Sequence, residues 1–301
     1  MDGLIIVDKP EGLTSHDVVA RVRRILKTKR VGHTGTLDPF ATGVMVILVG
    51  QATRLAQFLD KDEKEYEAAV RFGFETDTGD RTGKPVTECG LHPDVLERRI
   101  RDADWEQILA RFRGELMQVP PMYSAKKIDG KKLYELARKG EQIERKAVPV
   151  TVRELELIEP EKLDDPRSTI RIRVACSAGT YIRTLAEDIG RAAGLRAHLA
   201  ELRRTRAGRF GTSRSITLGS LEALQDPSSA LLPMNEAAAH LREFVLSNDR
   251  AAKTKNGLST RTDEPFADGE SVRMIDELDE LVAIGEYLMA EKVVRPKVVF
   301  G

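Results

Sequence analysis

Residues 32 to 43 read GHTGTLDPFATG, and this stretch is the most informative part of the chain. Its three glycines permit tight backbone turns and close approach of a ligand, while Pro39 stiffens the chain immediately after Asp38. Such a loop can hold the Asp38 carboxylate at a fixed angle. Two other interpretations stay open: Asp38 forms an Asx turn and the glycines serve only geometry, or the loop cradles a phosphate. Because the loop lacks the Lys-Ser/Thr ending of a P-loop, nucleotide hydrolysis is poorly supported.

Packed elements are predicted on both sides of this loop. The apolar run Leu4 to Val7 is closed by turn residues at 8–12, which indicates a buried strand. Thr14 and Asp17 form a capping-box pattern, and apolar residues at helical spacing follow, so a helix is expected next. Val44 to Val49 is a second continuous apolar run and predicts another buried strand. The loop is therefore expected to be held between packed elements.

The later elements alternate irregularly, which favours an α+β fold over a regular βαβ repeat. The patterns predict strands at 66–74 and from Ile170 to Cys176, and an exposed connection from Thr76 to Lys84. A helix is predicted from Trp105 to Phe112, ended by Gly114. A second helix is predicted to be capped by Thr180, with a core stripe of Ile182, Leu185, Ala186 and Ile189. The basic segment through Lys139 is expected to form an arm that projects from the body.

A domain boundary is expected near residues 225–235, where Pro227 and Pro233 lie among serines and an aspartate. Beyond it, the segment from Ala251 to Asp268 is polar and loop-like. Short alternating runs at Val282 to Ile284 and Val293 to Val299 predict a small β domain.

Charge is balanced over the whole chain but not along it. The 301 residues contain 48 basic and 48 acidic side chains, so net charge gives no argument for a polyanionic partner. Residues 21–30, however, include six basic side chains and no acidic one, and further basic runs lie at 126–132 and 196–209. A single run of this kind is usually a solvated face, whereas three runs raise the odds of contact with nucleic acid.

The remaining composition excludes several classes of protein. Cys89 and Cys176 are too far apart for a CxxC metal clip and too few for a disulfide framework, which fits a reducing compartment. The five histidines are scattered without paired ligand spacing, so no metal is expected. The apolar run near the N-terminus is too short for a signal peptide or a membrane span. We therefore predict a cytoplasmic protein.

The loop at 32–43 resembles the catalytic motif of the TruB family of tRNA pseudouridine synthases, in which its aspartate is essential. Further segments resemble the family in the family's own order, at 4–12, 64–66, 120–126, 130–138, 176–184 and 202–204. The resemblance covers residues 3 to 220 strongly and the remainder weakly.

The resemblance implies catalytic roles for three residues. Asp38 matches the nucleophile, which attacks either the uracil ring or the ribose C1′ and must be ionised to do so. Arg183 matches the arginine that pairs with this aspartate, and an opposite charge keeps a partly buried carboxylate deprotonated. Tyr66 matches the tyrosine that stacks on the target base and assists proton removal from C5.

The resemblance also implies residues that bind the substrate. His33 matches a histidine that enters the opened T loop and occupies the space vacated by the flipped nucleotide. Leu202 matches a leucine that packs on the base, and Tyr181 is expected to form a nearby pocket wall. Expected phosphate contacts are Lys9, Arg54, Lys126 and Lys132.

The implied fold is the α+β pseudouridine synthase core, with a central mixed, largely antiparallel sheet whose cleft holds Asp38. This catalytic domain would span residues 1–230, with a basic RNA-binding arm at about 120–150, and a small PUA-like β domain would span 235–301. The implied activity is isomerisation of uridine 55 in the tRNA T loop, by base flipping, cleavage of the glycosidic bond and rejoining through carbon. No cofactor, membrane or obligatory protein partner is expected, and the protein is expected to be a monomer.

Two alternatives remain open. The chain could act as an RNA-binding folding factor that opens and releases the tRNA elbow, with catalysis incidental. It could also belong with guide-RNA-dependent relatives that modify ribosomal RNA, although the absence of long basic tails argues against that assignment.

Overall fold

The computed structural model describes residues 1–59, 62–124, 127–128, 131–132, 143–158, 165 and 167–301, with only the backbone at 127–128 and 131–132. Residues 125–126, 129–130 and 133–142 of the arm expected at about 120–150 lie outside the described residues. The same holds for Lys126 and for the side chain of Lys132.

Most described strands of the first 217 residues belong to one large sheet. In chain order they are β1 (Gly3–Lys9), β2 (Val31–Thr34), β3 (Thr42–Val49), β4 (Lys64–Phe72), β5 (Phe74–Thr76), β6 (Pro85–Glu88), β7 (Gly114–Gln118), β8 (Lys127–Ile128), β9 (Lys131–Lys132), β10 (Val148–Ile158), β11 (Thr169–Cys176), β12 (Ala197–Ala207), β13 (Phe210–Gly211) and β14 (Ile216–Thr217). Ten of them form a sheet in the order β14-β1-β3-β12-β4-β11-β10-β7, with β2 beside β3 and β13 beside β12. Among these described strands, only β1 with β14 and β3 with β12 pair in parallel. The predicted mixed, largely antiparallel sheet is confirmed.

The described helices cover the sheet. They are α1 (Ser15–Ile25), α2 (Ala56–Leu59), α3 (Pro93–Asp102), α4 (Trp105–Ala110), α5 (Ile182–Ala193), α6 (Leu218–Ala223), α7 (Met234–Ala237) and α8 (Asn248–Lys255), with short 3-10 helices at Gly50–Leu55, Thr212–Arg214 and Pro227–Ala230. None of the described helices is long and apolar enough to cross a membrane.

Local sequence signals predict the start of α1 and the buried side of α5, but not the residue that caps α5. Thr14 and Asp17 form the predicted capping box, in which each side chain bonds to the other residue's backbone N–H. The predicted core stripe of α5 is buried, as expected from its spacing. The predicted cap of α5 is wrong: Tyr181 occupies the N-cap position, and the Thr180 hydroxyl instead donates to the Ser177 carbonyl at 2.9 Å. Thr180 therefore closes the turn before the helix.

Apolar clusters lie on both faces of the large sheet. One, which includes Phe72 and Leu185, packs α3, α4 and α5 onto β4, β11 and β12. A second, which includes Val22 and Ile47, packs α1 and α6 onto β1 and β3. Fully burying one such aliphatic side chain contributes roughly 1.5–3 kcal/mol, so these clusters provide the main stabilisation of the sheet.

The C-terminal residues form a second sheet, which confirms the predicted small β domain. Its strands are β15 (Arg242–Val245), β16 (Thr260–Arg261), β17 (Ser271–Ile275), β18 (Leu281–Leu288) and β19 (Val293–Val299), in the order β15-β17-β18-β19-β16. Ile284 and Phe300 share an apolar cluster with Leu4 and Ile6 of β1, so the two sheets pack against each other. The division at residues 230–235 remains a proposal.

The expected loop from Ala251 to Asp268 is partly wrong. Residues 251–255 belong to α8, and Thr260–Arg261 form β16. Ala251 and Thr254 are buried, while most of the remaining α8 side chains are exposed. Because a helix with such a narrow buried stripe needs few apolar residues, its sequence is polar and looks like a loop.

Gly43 permits the parallel contact between β3 and β12. It pairs with Arg204, and a Cβ atom placed on Gly43 would lie 2.2 Å from the Arg204 carbonyl oxygen. Its φ of +102° is also a conformation that residues with a Cβ rarely adopt. Any larger residue must push β12 away from the strand that follows the Asp38 loop.

We predict that Gly43→Ala destabilises the protein far more than Gly90→Ala. Gly90 also has a positive φ, of +68°, but a Cβ there would meet nothing within 4 Å. The control should therefore show only backbone strain of about 1–2 kcal/mol, whereas Gly43→Ala adds a steric overlap of roughly 1–3 kcal/mol or more. Urea unfolding of both variants measures the difference. Equal decreases in stability would mean that the strands do not approach as closely as the structure shows.

Candidate active site

The sheet topology places the Asp38 loop beside Tyr66. Residues 35–41 connect the antiparallel strands β2 and β3. Where β3 begins, Gly43 pairs with Arg204 of β12, and on the other side of β12 Arg204 pairs with Tyr66 of β4. Three adjacent strands thus bring the loop, Arg204 and Tyr66 to one position on the sheet.

Buried side chains hold the loop on both sides of Asp38. The Lys9 ammonium donates to the carbonyls of Pro39 at 3.2 Å and Ala41 at 2.6 Å. The Ser15 hydroxyl donates to the Leu37 carbonyl at 3.1 Å and accepts from the Leu37 N–H at 2.9 Å. Because residues immediately before and after Asp38 are fixed to β1 and α1, the position of its carboxylate is fixed as well.

Lys9 is not placed where a phosphate contact would need it. Its side chain is fully buried, and its ammonium also donates to the Pro10 carbonyl at 2.9 Å. Burial lowers the pKa of Lys9 to about 8, and the nearby Asp38 charge opposes that effect. The expectation of a phosphate contact is therefore corrected, since the ammonium group of Lys9 is used to hold the Asp38 loop.

Arg183 of α5 makes a two-point ion pair with Asp38. Its Nε lies 3.0 Å from Oδ2, and its Nη2 lies 3.3 Å from Oδ1. The remaining guanidinium hydrogens reach the carbonyls of Thr78 at 3.0 Å and Tyr123 at 2.8 Å. The Arg183 side chain is only 6% exposed. A planar guanidinium held at four points fixes the orientation of the carboxylate as well as its charge.

Asp80 is a site residue that the sequence patterns did not reveal. It lies within the segment predicted as an exposed connection, yet it is 4% exposed, and its Oδ2 lies 3.7 Å from Arg183 Nη1. Its Oδ1 accepts from the Thr78 hydroxyl at 2.9 Å and from the Thr82 N–H at 2.9 Å. Polar composition suggested exposure, but the segment folds back so that Arg183 lies between two aspartates.

Burial and charge act in opposite directions on Asp38. Burial raises its pKa above the ordinary value, Arg183 lowers it, the neighbouring Asp80 raises it and Lys9 lowers it. The net direction is upward. Even so, 32% of the Asp38 side chain stays exposed. A carboxylate that is largely surrounded but still reached by solvent can be contacted by a ligand.

Tyr66 and Arg204 are adjacent buried residues beneath the loop. Tyr66 is 8% exposed and belongs to the apolar cluster that also contains Leu37 and Leu202. Burial raises the pKa of Tyr66, while the charge of Arg204 and a hydrogen bond from it lower the pKa. Arg204 is 1% exposed and also donates to the carbonyls of Val44 at 2.6 Å and Gly35 at 3.0 Å. It therefore links the tyrosine to the loop.

Arg204 was missed as a site residue even though residues 202–204 were recognised as family-like. Side chains alternate between the two sides of a strand, so the Arg204 side chain lies on the same side as Leu202, which faces the core. That position was the available signal, because a charge facing the core needs a specific partner.

His33 lies at the edge of the site and is neutral at physiological pH. Its ring packs edge-on against that of His16, with centroids 5.8 Å apart. Its Nδ1 is buried and has no hydrogen-bond partner among the described residues. Burial, together with the charges of His16 and Arg204, lowers the pKa of His33 to about 4. The side chain therefore presents an uncharged aromatic ring.

Of the other predicted substrate-binding residues, Leu202 and Tyr181 lie near the residues described above. Leu202 is 7% exposed and belongs to the same apolar cluster as Tyr66. Tyr181 lies two residues before Arg183, and Gln118 holds its backbone by accepting from its N–H at 2.7 Å and donating to its carbonyl at 3.0 Å.

Arg54 lies away from this group of residues. It follows β3, whose eight residues extend about 25 Å from the Asp38 loop. Its guanidinium donates to the Val299 carbonyl and lies 5.7 Å from the centroid of the Phe300 ring. The structure therefore joins Arg54 to the C-terminal sheet and not to Asp38.

Two family models together match most of the chain. The N-terminal domain of TruB family pseudouridylate synthases matches residues 23–182, and the C-terminal domain of tRNA pseudouridylate synthase B matches residues 183–252. The chain is 43% identical to the tRNA pseudouridine synthase B of Solibacter usitatus, over 96% of this chain and 97% of that protein. It is 39% identical to that of Bacillus subtilis, over 94% of this chain and 92% of that protein.

Solved structures share the whole architecture. A chain from a crystal structure of a Cbf5-Nop10-Gar1 complex superposes with a TM-score of 0.73 at 29% identity, covering 99% of this chain and 85% of that chain. A chain from an H/ACA RNP bound to a substrate RNA containing 2′-deoxyuridine gives a TM-score of 0.72 at 27% identity, with the same two coverages. Both sheets of the fold are therefore shared with these relatives.

We predict opposite effects of two substitutions on the pKa of Asp38. Arg183→Gln removes the opposite charge and should raise the pKa further, while Asp80→Asn removes a like charge and should lower it. Carboxyl carbon NMR titration of Asp38 measures both shifts. Glu88→Gln, at an exposed position of β6, serves as the neutralised control and should leave the titration unchanged. Shifts of the same sign in both site variants would contradict the arrangement of Arg183 between two aspartates.

Proposed function

Because the chain belongs to the TruB family of pseudouridylate synthases, we propose that it isomerises uridine 55 in the T loop of tRNA to pseudouridine, with Asp38 as nucleophile. Membership makes the chain a pseudouridine synthase, which is an isomerase. Its relatives named tRNA pseudouridine synthase B support tRNA as the substrate. The position of the uridine and the roles of individual residues belong to the proposal.

The observation that carries the proposal is the two-point pair between Arg183 and a partly exposed Asp38 carboxylate. A nucleophilic carboxylate must be ionised, and burial works against ionisation. Arg183 counteracts the effect of burial without covering the carboxylate, since 32% of the Asp38 side chain stays exposed. The pair therefore supports a charged nucleophile that a ligand can still reach.

The reaction needs only bond exchange within one nucleoside. The bond between N1 and C1′ breaks, a bond between C5 and C1′ forms, the proton leaves C5, and N1 gains a proton. Asp38 would attack either the ring or C1′, and both routes use the same ionised carboxylate. No oxidant, reductant or energy source enters this balance, so we propose that no cofactor is required.

The surrounding residues fit the remaining steps. A uridine must leave its stack to reach the cleft, which costs a few kcal/mol. Tyr66 and Leu202 would receive the flipped base on apolar surface, and the Tyr66 hydroxyl would assist removal of the C5 proton. His33, uncharged because burial lowers its pKa to about 4, would fill the space left in the T loop by stacking.

Guide-dependent modification of ribosomal RNA is the second candidate. The solved chains that share the fold include one from an H/ACA RNP at 27% identity. The relatives named tRNA pseudouridine synthase B are more similar, at 39–46% identity. Greater identity over nearly the whole chain favours a stand-alone tRNA enzyme. We accordingly propose a cytoplasmic monomer that needs no obligatory protein partner or guide RNA.

We predict that purified protein forms pseudouridine in an unmodified T-arm transcript without guide RNA, and that Asp38→Asn abolishes product while RNA affinity stays within about twofold. The amide keeps the shape of the carboxylate but is not a nucleophile. Carbodiimide mapping locates the product, and filter binding measures affinity. A transcript with cytidine at position 55 is the substrate control.

The outcome separates the candidates. No product from the native protein, under conditions where it binds the transcript, would overturn the enzymatic proposal for tRNA. A cellular role in tRNA folding that survives Asp38→Asn would support the folding-factor alternative. Activity that appears only after a guide RNA is added would support the guide-dependent one.

Tyr66→Phe tests the proposed proton transfer. Phenylalanine keeps the apolar ring but lacks the hydroxyl, so kcat should fall by roughly 10²–10⁴-fold while KM changes little. Tyr287→Phe, at a buried tyrosine of the C-terminal sheet, is the matched control and should retain activity. Single-turnover and steady-state kinetics on the T-arm transcript measure both. An unchanged kcat for Tyr66→Phe would limit Tyr66 to packing.

A further inference from the structure

The exposed side of α1 and the turn after it carry a run of basic residues that no acidic residue interrupts. Residues 21–30 contain six basic side chains and no acidic one, and all six belong to exposed residues. The nearest preceding acid, Asp17, is engaged in the capping box with Thr14. In a chain whose total charge is zero, this surface is locally and strongly positive.

Most of these side chains are not used inside the protein. Arg23 donates to the Val31 carbonyl at 2.8 Å, and Arg30 donates to the Thr53 hydroxyl at 3.1 Å. The others have no side-chain hydrogen bond or ion pair within the described part of the chain. They are Arg21, Arg24, Lys27 and Lys29, which we call the α1 basic track.

Arginines on the exposed side of the large sheet, unlike those of the track, form ion pairs with acidic residues. Arg203 pairs with Asp8 at 2.9 Å, Arg171 with Glu201 at 2.6 Å, and Arg173 with Glu156 at 2.9 Å. Within the described residues, the fold therefore supplies acidic partners to cations on that face and none to the track. Like charges kept close together repel each other, so a group of unpaired cations on the helix that begins beside the Asp38 loop is suited to an anionic partner.

The helix that carries the track starts beside the Asp38 loop. The first residue of α1, Ser15, exchanges two hydrogen bonds with the backbone of Leu37, which precedes Asp38. The helix rises about 1.5 Å per residue, so Arg21 and Arg24 lie about 9 and 13 Å along α1 from Ser15. His16, next to Ser15, contacts His33. The track thus leads away from the loop and from the residue proposed to enter the RNA.

We propose that the α1 basic track binds backbone phosphates of the RNA helix that flanks the target uridine. This inference rests on the proposed function for the identity of the RNA. A nucleic acid duplex carries one negative charge for about every 1.7 Å of its axis, so a surface of this length meets several phosphates. Phosphate contacts of this kind set the register of the RNA without reading its sequence. The track would position the T stem while the cleft receives the uridine from its loop.

The test uses the full chain with Asp38→Asn, so that binding is measured without turnover. Arg21→Gln with Arg24→Gln removes two track charges. Arg98→Gln with Arg99→Gln removes two equally exposed charges of α3 that have no ion pair within the described residues, and serves as the matched control. The probe is the T-arm transcript, and Kd is measured from 50 to about 300 mM KCl.

The track variant should bind more weakly by at least about 10-fold at the lowest salt. The slope of log K against log salt should shrink by about 2, because each of the two substituted arginines would no longer neutralise a phosphate. The control variant should keep both the Kd and the slope of the parent. Thermal unfolding curves should coincide for all three proteins, because the substituted side chains are exposed. Equal behaviour of the track and control variants would overturn the proposal.

A second transcript identifies the part of the RNA that the track binds. It keeps the T loop and its closing pairs but lacks the distal half of the stem. Truncation should weaken binding to the parent protein, and the track substitutions should weaken binding to this shorter RNA only slightly further. If the two effects are fully additive, the track does not bind the stem and the inference fails. These binding measurements do not require pseudouridine formation, so their failure can be distinguished from failure of the proposed function.

Discussion

The structure depends on an arginine that counteracts the effect of burial on one carboxylate. Burial raises the pKa of Asp38, and Arg183 is the main influence that lowers it. Arg183 is itself almost completely buried, so its position must be fixed by partners that leave it charged. Asp80 and the carbonyls of Thr78 and Tyr123 provide those partners. The segments 76–82 and 120–124 are therefore folded onto α5 because Arg183 has to be satisfied there.

The same constraint explains the rigid loop. The nucleophile that we propose needs a fixed direction of approach, and a side chain at the tip of a free hairpin has none. Lys9 and Ser15 provide it by bonding to backbone atoms around Asp38, at the cost of burying an ammonium group. Gly43 then lets β12 approach β3 closely enough for Arg204 to reach Gly35 at the start of the loop. Strand pairing and loop geometry are thus parts of one arrangement.

Local patterns predicted the elements well, since helix spacing and apolar runs are properties of neighbouring residues. The strands β1 and β3, the capping box at Thr14, the core stripe of α5 and the small C-terminal β domain were all predicted from such patterns. Asp80 was not, because its burial depends on a partner 103 positions away in α5. Lys9 was misplaced for a related reason: a lysine next to a proline turn looks exposed, and only the fold shows three carbonyls converging on it.

Segregated charge explains how a chain with no net charge can suit a polyanion. Among the described residues, four Lys or Arg side chains are buried, Lys9, Lys64, Arg183 and Arg204, whereas Glu75 and Asp80 are the buried acids. Two of these cations, Lys9 and Arg183, lie close enough to Asp38 to lower its pKa. On the sheet face, by contrast, Arg171, Arg173 and Arg203 are each neutralised by a carboxylate. The α1 basic track has no such carboxylate partner among the described residues, and this difference is what makes it the surface that we propose for a phosphate backbone.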